Sequence, residues 1–182
     1  DPVGVGASKF RKDTAIKLLN EVHFSVIRGN ISEIKTLYEW SENSYGVDAK
    51  KDDIITEDNQ KKVIRMAKEL AVKTKAVIVI TGETDLVTDG ETVYFIKNGV
   101  PEMARITGCG CMLDGVIAGF IGANQGNILE ATVTAVSAMG ICGEYARENA
   151  KGTGTLKVHL IDAMSNIDET WMERSNQIES RS

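Results

Sequence analysis

The sequence predicts an α/β domain in which helices and strands alternate, and three observations support that prediction. Residues 76–80 form an unbroken apolar, mostly β-branched run, which is typical of a strand buried on both faces of a parallel sheet. Apolar residues before and after this run recur at helical spacing. Asp89-Gly90 stands between two further apolar segments and is a strong hairpin signal.

The first half of the chain contains three predicted helices and one predicted strand. Residues 11–22 and 30–40 carry apolar side chains at helical spacing, and the short apolar run at 23–27 between them predicts a strand. Residues 41–53 are polar and predict a loop. Thr56 is a suitable N-cap for a third helix that runs to about Lys73.

The second half begins with strands and continues with helices. After the strand at 76–80, residues 85–89 and 91–96 predict the two arms of the hairpin. From Cys111 onward the pattern is helical, with a weaker segment after Asp168. The predicted helices cover residues 111–123, 128–149 and 156–167. Because we find no internal repeat and no linker, we expect a single domain over residues 1–182.

Composition and charge exclude several classes of protein. The 182 residues are 42% hydrophobic and 26% charged, with 17 Gly and 2 Pro, which excludes collagen, coiled coils, low-complexity disorder and disulfide-rich modules. A formal net charge of −5 argues against nucleic acid as a partner. The sequence contains no run of about 18 apolar residues, so it predicts no membrane-spanning helix. Three cysteines without a Cys-x-x-Cys pair indicate a reducing, cytoplasmic compartment.

A glycine-rich segment before a predicted helix is the first candidate site. Residues 107–111 read Thr-Gly-Cys-Gly-Cys, and Gly108 and Gly110 would let backbone N–H groups converge at the start of that helix. Such an anion hole suits a transferring phosphoryl group. The alternative is a flexible loop before an ordinary helix.

Cys111 stands in the first turn of this predicted helix. The positive end of the helix dipole favours a thiolate, which makes a cysteine there a candidate base or nucleophile. Alternatively, a cysteine at such a junction is a small buried hydrophobe, which is how we interpret Cys109. Metal binding by the two thiols is disfavoured, because neither His23 nor His159 has ligand spacing to them.

The segment from Arg28 to Glu33 has two interpretations. Asn30 as N-cap with Glu33 three residues later is a complete capping box. Alternatively, Glu33 orders Mg²⁺ through water molecules while Arg28 contacts a nucleotide phosphate.

Two further residues stand at predicted strand ends. Asp1 precedes Gly4-x-Gly6, which is not a dinucleotide fingerprint because Lys9 stands where a third glycine is needed. A P-loop motif is also missing from the sequence, and Asp1 is therefore interpreted as a carboxylate that could meet Mg²⁺ and phosphate. Thr81 ends the most buried strand, where ligands gather in open α/β sheets.

In combination, these motifs resemble the ribokinase-like superfamily and, within it, the hydroxyethylthiazole kinase family. The matching motifs are Asp1-Pro2-Val3-Gly4-x-Gly6-Ala7, Ile27-Arg28-Gly29-Asn30-x-x-Glu33-Ile34, Gly46-Val47-Asp48, Ile80-Thr81-Gly82-Glu83-x-Asp85 and Thr107-Gly108-x-Gly110-Cys111-Met112-Leu113. The resemblance covers nearly the whole chain. Since the chain opens on Asp1-Pro2 without an initiator Met or a signal peptide, we expect that it is N-terminally truncated and lacks the early strands of the family.

The resemblance implies a fold and an activity. The fold is a three-layer sandwich with a central, mostly parallel sheet between helices, in a homotrimer with active sites at subunit interfaces. The activity is ATP-dependent phosphorylation of the hydroxyl of 4-methyl-5-(2-hydroxyethyl)thiazole in thiamin biosynthesis and salvage, with Mg²⁺. No nucleic acid or membrane partner is implied.

The resemblance also implies residue roles. Arg28 and Thr81 would contact ATP, and Asp1 and Glu33 would surround Mg²⁺ and phosphate. Gly108 and Gly110 would form the cofactor loop, with Gly108 also on the thiazole side. Cys111 would be catalytic, at a position where most of the superfamily carries Asp.

Two alternatives stay open at this point. A hydroxymethylpyrimidine kinase shares the Asp-Pro-Val and Gly-x-Gly-Cys motifs, but such kinases usually show Thr-Pro-Asn where this chain has Arg28-Gly29-Asn30. The second alternative is a catalytically incomplete nucleotide-binding or oligomerisation module, against which the presence of Asp1, Glu33 and Cys111 argues.

Overall fold

The computed structural model describes residues 1–41 and 59–181, which divide into two compact units. One unit comprises the described residues from Asp1 to Tyr94 together with Ser180 and Arg181, and the other comprises Phe95–Glu179. The helices are α1 (Lys9–Glu21), α2 (Ile31–Ser41), α3 (Gln60–Thr74), α4 (Cys109–Ala123), α5 (Ile128–Asn149), α6 (Thr153–Asn166) and α7 (Glu169–Ser175). The strands are β1 (Val26–Asn30), β2 (Val77–Thr81), β3 (Asp85–Thr88), β4 (Val93–Ile96) and β5 (Ile178–Arg181).

The sheet is mixed, with the strand order β1-β2-β3-β4-β5. Strand β1 pairs parallel with β2, and the register places Arg28 opposite Val79. Strand β2 pairs antiparallel with β3, and Val79 lies opposite Val87. The expectation of an α/β fold is confirmed, but the expectation of a mostly parallel sheet is corrected. Only residues 82–84 connect β2 to β3, and so short a connection reverses the chain because a parallel pair needs a long crossover.

The core of the first unit lies where α2 and α3 pack against β1 and β2. All residues of β2 before Thr81 are buried, because apolar side chains cover both of its faces. The largest fully buried side chains here include Ile34, Leu37, Leu70, Ile78 and Ile80. The β-branched run therefore predicted burial correctly, although only one of the two neighbours of β2 is parallel to it.

A buried asparagine organises the second unit. Asn98 is 6% exposed, and its amide nitrogen donates to Glu144 Oε1 (3.1 Å) and to the carbonyl of Ser175 (2.8 Å). Its amide oxygen accepts from Ser137 Oγ (3.0 Å) and from the backbone N–H of Gln177 (2.8 Å). Because every polar position of this amide is satisfied, Asn98 fixes three segments of the unit to one another.

Helix α5 approaches the Asn98 segment closely at a glycine. A Cβ added to Gly140 would lie 2.6 Å from the carbonyl carbon and from the Cβ of Asn98, which is shorter than any tolerated contact. Next to this contact, Glu144 Oε1 accepts the N–H of Gly99 (2.8 Å). The small residues of α5 therefore permit a helix–backbone contact that a side chain would prevent.

Several predicted boundaries differ from the structure. The strand expected at 23–27 begins at Val26 and extends to Asn30, and α4 begins at Cys109, two residues before the predicted start. Strand β5 was not predicted. The Thr56 cap, the Gly46-Val47-Asp48 motif and the predicted loop beyond Ser41 lie outside the described residues. Among the described helices, none is long and apolar enough to cross a membrane.

Candidate active site

The site begins at Arg28, a charged residue inside a buried strand. Arg28 lies in β1, and its guanidinium forms an ion pair with the carboxylate of Asp1. The two side chains are 9% and 13% exposed. A guanidinium with so little exposure to solvent needs an anionic partner, and the carboxylate of Asp1 is that partner. The structure thus brings together two of the residues that the sequence singled out.

Glu33 links the first turn of the chain to the start of α2. Its Oε2 accepts the N–H of Asn30 (2.9 Å), while Asn30 Oδ1 accepts the N–H of Glu33 (2.9 Å), so the predicted capping box is formed. Its Oε1 accepts the N–H of Gly4 (2.8 Å). The second contact was not predicted, because it joins residues 29 positions apart.

Two glycines lie close to this carboxylate, where a side chain would be crowded or strained. A Cβ on Gly29 would lie 3.2 Å from Glu33 Oε2 and 3.3 Å from Ile34 Cδ1. Gly4, whose amide binds the other carboxylate oxygen, has a φ of +62°, which is unfavourable for residues with a side chain. The glycines of the Asp-Pro-Val-Gly and Arg-Gly-Asn motifs therefore permit the chain to approach Glu33 closely.

Thr81 lies at the carboxyl end of β2, as predicted. It is opposite Asn30 in the parallel register, and its hydroxyl donates a long hydrogen bond (3.4 Å) to the carbonyl of Gly29. Arg28 and Thr81 share a face of the sheet, because Arg28 is opposite Val79 and Thr81 is two residues further along the same strand. The predicted nucleotide contacts are thus on one face of the sheet.

Asp85 joins this group, although the sequence analysis assigned it no role. Its Oδ1 accepts the N–H of Gly82 (2.8 Å) and closes the turn between β2 and β3. Loss of solvent raises the pKa of Asp85 to about 7, against the smaller opposing effects of the Gly82 hydrogen bond and of the Arg28 charge. The only sequence signal was its place in the Thr81-Gly82-Glu83-x-Asp85 motif.

The remaining predicted residues lie in the second unit, at the start of α4. Gly108 is the N-cap, with a φ of +90°, and a Cβ added there would meet no atom within 4 Å. The first helical hydrogen bond runs from the N–H of Met112 to the carbonyl of Gly108 (2.9 Å). The amides of Gly110 and Cys111 precede that bond and therefore lie among the N–H groups that a helix leaves for an anion.

The three thiols differ in exposure. Cys111 is exposed, Cys109 is half-buried and Cys142 is buried. Burial raises the pKa of the Cys142 thiol to about 11, so this cysteine is an inert core residue. The exposed position of Cys111 contradicts the alternative that it is a small buried hydrophobe.

Two observations concern other kinds of site, a metal centre and an apolar cavity. Within residues 1–41 and 59–181, no group of three or more His, Cys, Asp or Glu side chains could hold a metal ion by itself. An apolar cavity of about 460 Å³ lies between α4, α5 and α6, and none of the predicted site residues lines it.

Comparisons with known proteins place this chain among kinases of one type. A sequence model described as the hydroxyethylthiazole kinase family matches residues 1–170. A hydroxyethylthiazole kinase of Clostridium acetobutylicum is 46% identical over 183 aligned positions, which cover 99% of this chain and 67% of that protein. Hydroxyethylthiazole kinase 1 of Clostridium botulinum is 44% identical with the same coverage.

A solved structure of a protein with a similar name has a similar fold. The structure of a hydroxyethylthiazole kinase protein from Pyrococcus horikoshii superimposes with a TM-score of 0.85 at 27% identity. The match covers all of this chain and 64% of that chain. This chain therefore spans about two thirds of the length of the relatives that it matches.

Proposed function

This chain belongs to the hydroxyethylthiazole kinase family, and on that premise we propose that it phosphorylates the hydroxyl of 4-methyl-5-(2-hydroxyethyl)thiazole with ATP, in thiamin biosynthesis and salvage. The observation that carries the proposal is the 46% identity to a protein of that name over 99% of this chain. The segments around Arg28 and Cys111 both fall inside the matched residues 1–170.

In this proposal, Arg28 and Thr81 contact ATP. A guanidinium carries five N–H donors in a planar fork that matches phosphate oxygens, and Asp1 uses part of that capacity. Thr81 offers a hydroxyl on the same face of the sheet. The amides at Gly108 and Gly110 would stabilise negative charge on the transferring phosphoryl group, with Gly108 also on the thiazole side.

Mg²⁺ is part of the proposal, and the carboxylates of Asp1 and Glu33 would hold it. Mg²⁺ keeps several water ligands and is usually held by one or two carboxylates together with substrate phosphates. These two carboxylates fit that mode of binding, because their remaining lone pairs can still accept hydrogen bonds from metal-bound water. When bound, the ion neutralises charge on the phosphate groups.

Cys111 is proposed as the general base. The hydroxyl oxygen of the thiazole attacks the γ-phosphorus, its proton passes to the Cys111 thiolate, and the bond from that phosphorus to ADP breaks. The exposure of Cys111 at the first turn of α4 supports this role, because a small substrate can reach it.

We extend the proposal to assembly and location. By resemblance to the family, the enzyme would be a homotrimer with active sites at subunit interfaces, and its three cysteines without a Cys-x-x-Cys pair favour a cytoplasmic location. Sedimentation equilibrium of the purified protein tests the assembly, since a monomer or dimer as the main species would contradict it.

The experiment that tests the activity is ADP release with two alcohols. We expect the thiazole alcohol to support a kcat/KM at least ~10-fold above that of hydroxymethylpyrimidine. The reverse ratio would identify a hydroxymethylpyrimidine kinase. ATP binding without ADP release from either alcohol would identify the catalytically incomplete module.

The role of Cys111 is tested by two substitutions and a matched control. Cys111→Asp should retain activity, because a carboxylate can accept the proton, whereas Cys111→Ser should lower kcat at least ~100-fold because a hydroxyl is a poor base. Cys109→Ala, two residues away, should stay near the wild-type rate. Full turnover of Cys111→Ser at neutral and mildly alkaline pH would rule out the thiol as base.

A further inference from the structure

Three polar residues share one face of the sheet where β2 ends. Arg28 is opposite Val79, and Val79 is opposite Val87 on the next strand. Residues opposite one another in register project to the same face, as do residues two positions apart in one strand. Thr81 and Asp85 therefore lie on the Arg28 face, and continuing the β2–β3 register by one pair places them opposite one another.

Thr81 depends on its backbone for its orientation. The 3.4 Å separation between its hydroxyl and the Gly29 carbonyl is long, so this hydrogen bond restrains the side chain weakly. The turn that follows is restrained better, because Asp85 Oδ1 accepts the N–H of Gly82 at 2.8 Å. The backbone that follows Thr81 is therefore held by the turn that Asp85 closes.

Asp85 is half-buried on the face of the sheet that Arg28 shares. The positive charge of Arg28 favours the ionised carboxylate of Asp85, while loss of solvent opposes that ionisation. Asp89 shows the contrast: at the other end of β3 it is exposed and accepts the N–H groups of Glu91 and Thr92, both at 2.9 Å.

We propose that Asp85 is a positioning residue of the nucleotide site, whose carboxyl group fixes the Thr81–Gly82 turn on the face of the sheet that Arg28 shares. The inference rests on the proposed function, in that Arg28 and Thr81 are taken as the ATP contacts. Asp85 itself touches neither substrate in this scheme. It acts through the turn that carries Thr81.

The test compares Asp85→Ala, Asp85→Asn and the matched control Asp89→Ala. We expect Asp85→Ala to raise the Kd for ATP and the KM for ATP at least ~10-fold, as for the loss of a hydrogen bond to a charged group. The KM for the thiazole alcohol and kcat should change less than ~3-fold. Asp85→Asn should recover most of the ATP affinity, because its amide oxygen can still accept the Gly82 N–H.

The control separates positioning from general loosening of the hairpin. Asp89→Ala removes the acceptor of two turn N–H groups and should lower Tm without changing the Kd for ATP. An unchanged Kd in Asp85→Ala, or equal increases in Asp85→Ala and Asp89→Ala, would overturn the inference. So would an Asp85→Asn protein that binds ATP as poorly as Asp85→Ala.

Calorimetric titration with ATP in the absence of the alcohol keeps this inference separate from the proposed function. A wild-type protein that binds ATP but does not phosphorylate the thiazole would refute the proposed substrate. The ratio of the ATP Kd values for Asp85→Ala and wild type would still decide the role of Asp85.

Discussion

Both oxygens of a single carboxylate, that of Glu33, accept backbone N–H groups from separate segments. A capping box alone would tolerate glutamine, since its amide oxygen can serve the Asn30 N–H. Here the second position would become an NH₂ donor facing the donor of Gly4 or Asn30. We therefore expect Glu33→Gln to lower the free energy of unfolding by about 1–3 kcal/mol, measured by urea denaturation.

Glu21→Gln is the matched control for this prediction. Glu21 is exposed at the end of α1, and its substitution should stay within about 0.5 kcal/mol of wild type. If the Glu33→Gln protein is as stable as this control, the Gly4 contact does not contribute to stability. A fall in turnover at limiting Mg²⁺ of at least ~10-fold in Glu33→Gln would separately support the proposed metal role.

At the scale of an element, a glycine of α5 and a glycine of α4 differ in the space around them. A methyl group at Gly140 would collide with the Asn98 backbone, whereas a methyl group at Gly119 in α4 would meet nothing within 4 Å. Gly140→Ala should cost about 1–3 kcal/mol of unfolding free energy through overpacking. Gly119→Ala should instead stabilise by about 0.5–1 kcal/mol, because alanine favours a helix interior.

Thermal and chemical denaturation of both alanine variants test this prediction. The expected result is a change of opposite sign in two substitutions of the same chemistry within the same unit. Equal changes in the two variants would contradict it, because helix propensity alone would then account for both.

At the scale of the whole molecule, Asp85 makes stability depend on pH. The pKa of Asp85 is about 7 in the folded protein against an ordinary value of 3.8, so the folded state holds the proton more tightly than the unfolded state. The stability from this group is fully present below about pH 4 and is lost as pH rises through about 7. Asp85→Asn removes the titration, and its stability relative to wild type should increase over that window.

Urea denaturation of the wild type and of Asp85→Asn at several pH values measures the effect. The charged neighbours on that face, Arg28 and Asp1, are present in both proteins, so the difference isolates Asp85. If the two stability curves run parallel between pH 4 and pH 7, Asp85 ionises as freely in the folded protein as in the unfolded chain.

The sequence predicted most elements, because their patterns are local. The buried run at 76–80 and the Asp89-Gly90 hairpin correspond to β2, β3 and β4, and the capping box at Asn30 and Glu33 is formed. Strand β5 was missed because three of its four residues, Ile178–Arg181, are exposed and it lacks an apolar alternation. The expectation of a mostly parallel sheet was wrong, because a buried apolar run indicates that both faces of a strand are covered and does not indicate the direction of its neighbours.

The site could be predicted only in part. Local motifs identified Arg28 and Glu33, but the Arg28–Asp1 pair and the Glu33–Gly4 contact depend on the fold, since each joins residues far apart in the chain. Asp85 had no distinguishing signal beyond its place in a motif, because an aspartate near a turn is common and its partial burial appears only in three dimensions. The functional roles of these residues remain predictions.

In the part of the chain that the structure describes, three loop glycines donate their amide N–H to a carboxylate: Gly4 to Glu33, Gly82 to Asp85 and Gly99 to Glu144, each at 2.8 Å. Amides in loops usually exchange quickly with deuterium, since local opening exposes them at little cost in free energy. These three amides should instead exchange slowly, because each must first break its hydrogen bond to the carboxylate. The rates at which they become labelled would therefore report, residue by residue, how often each contact opens in solution.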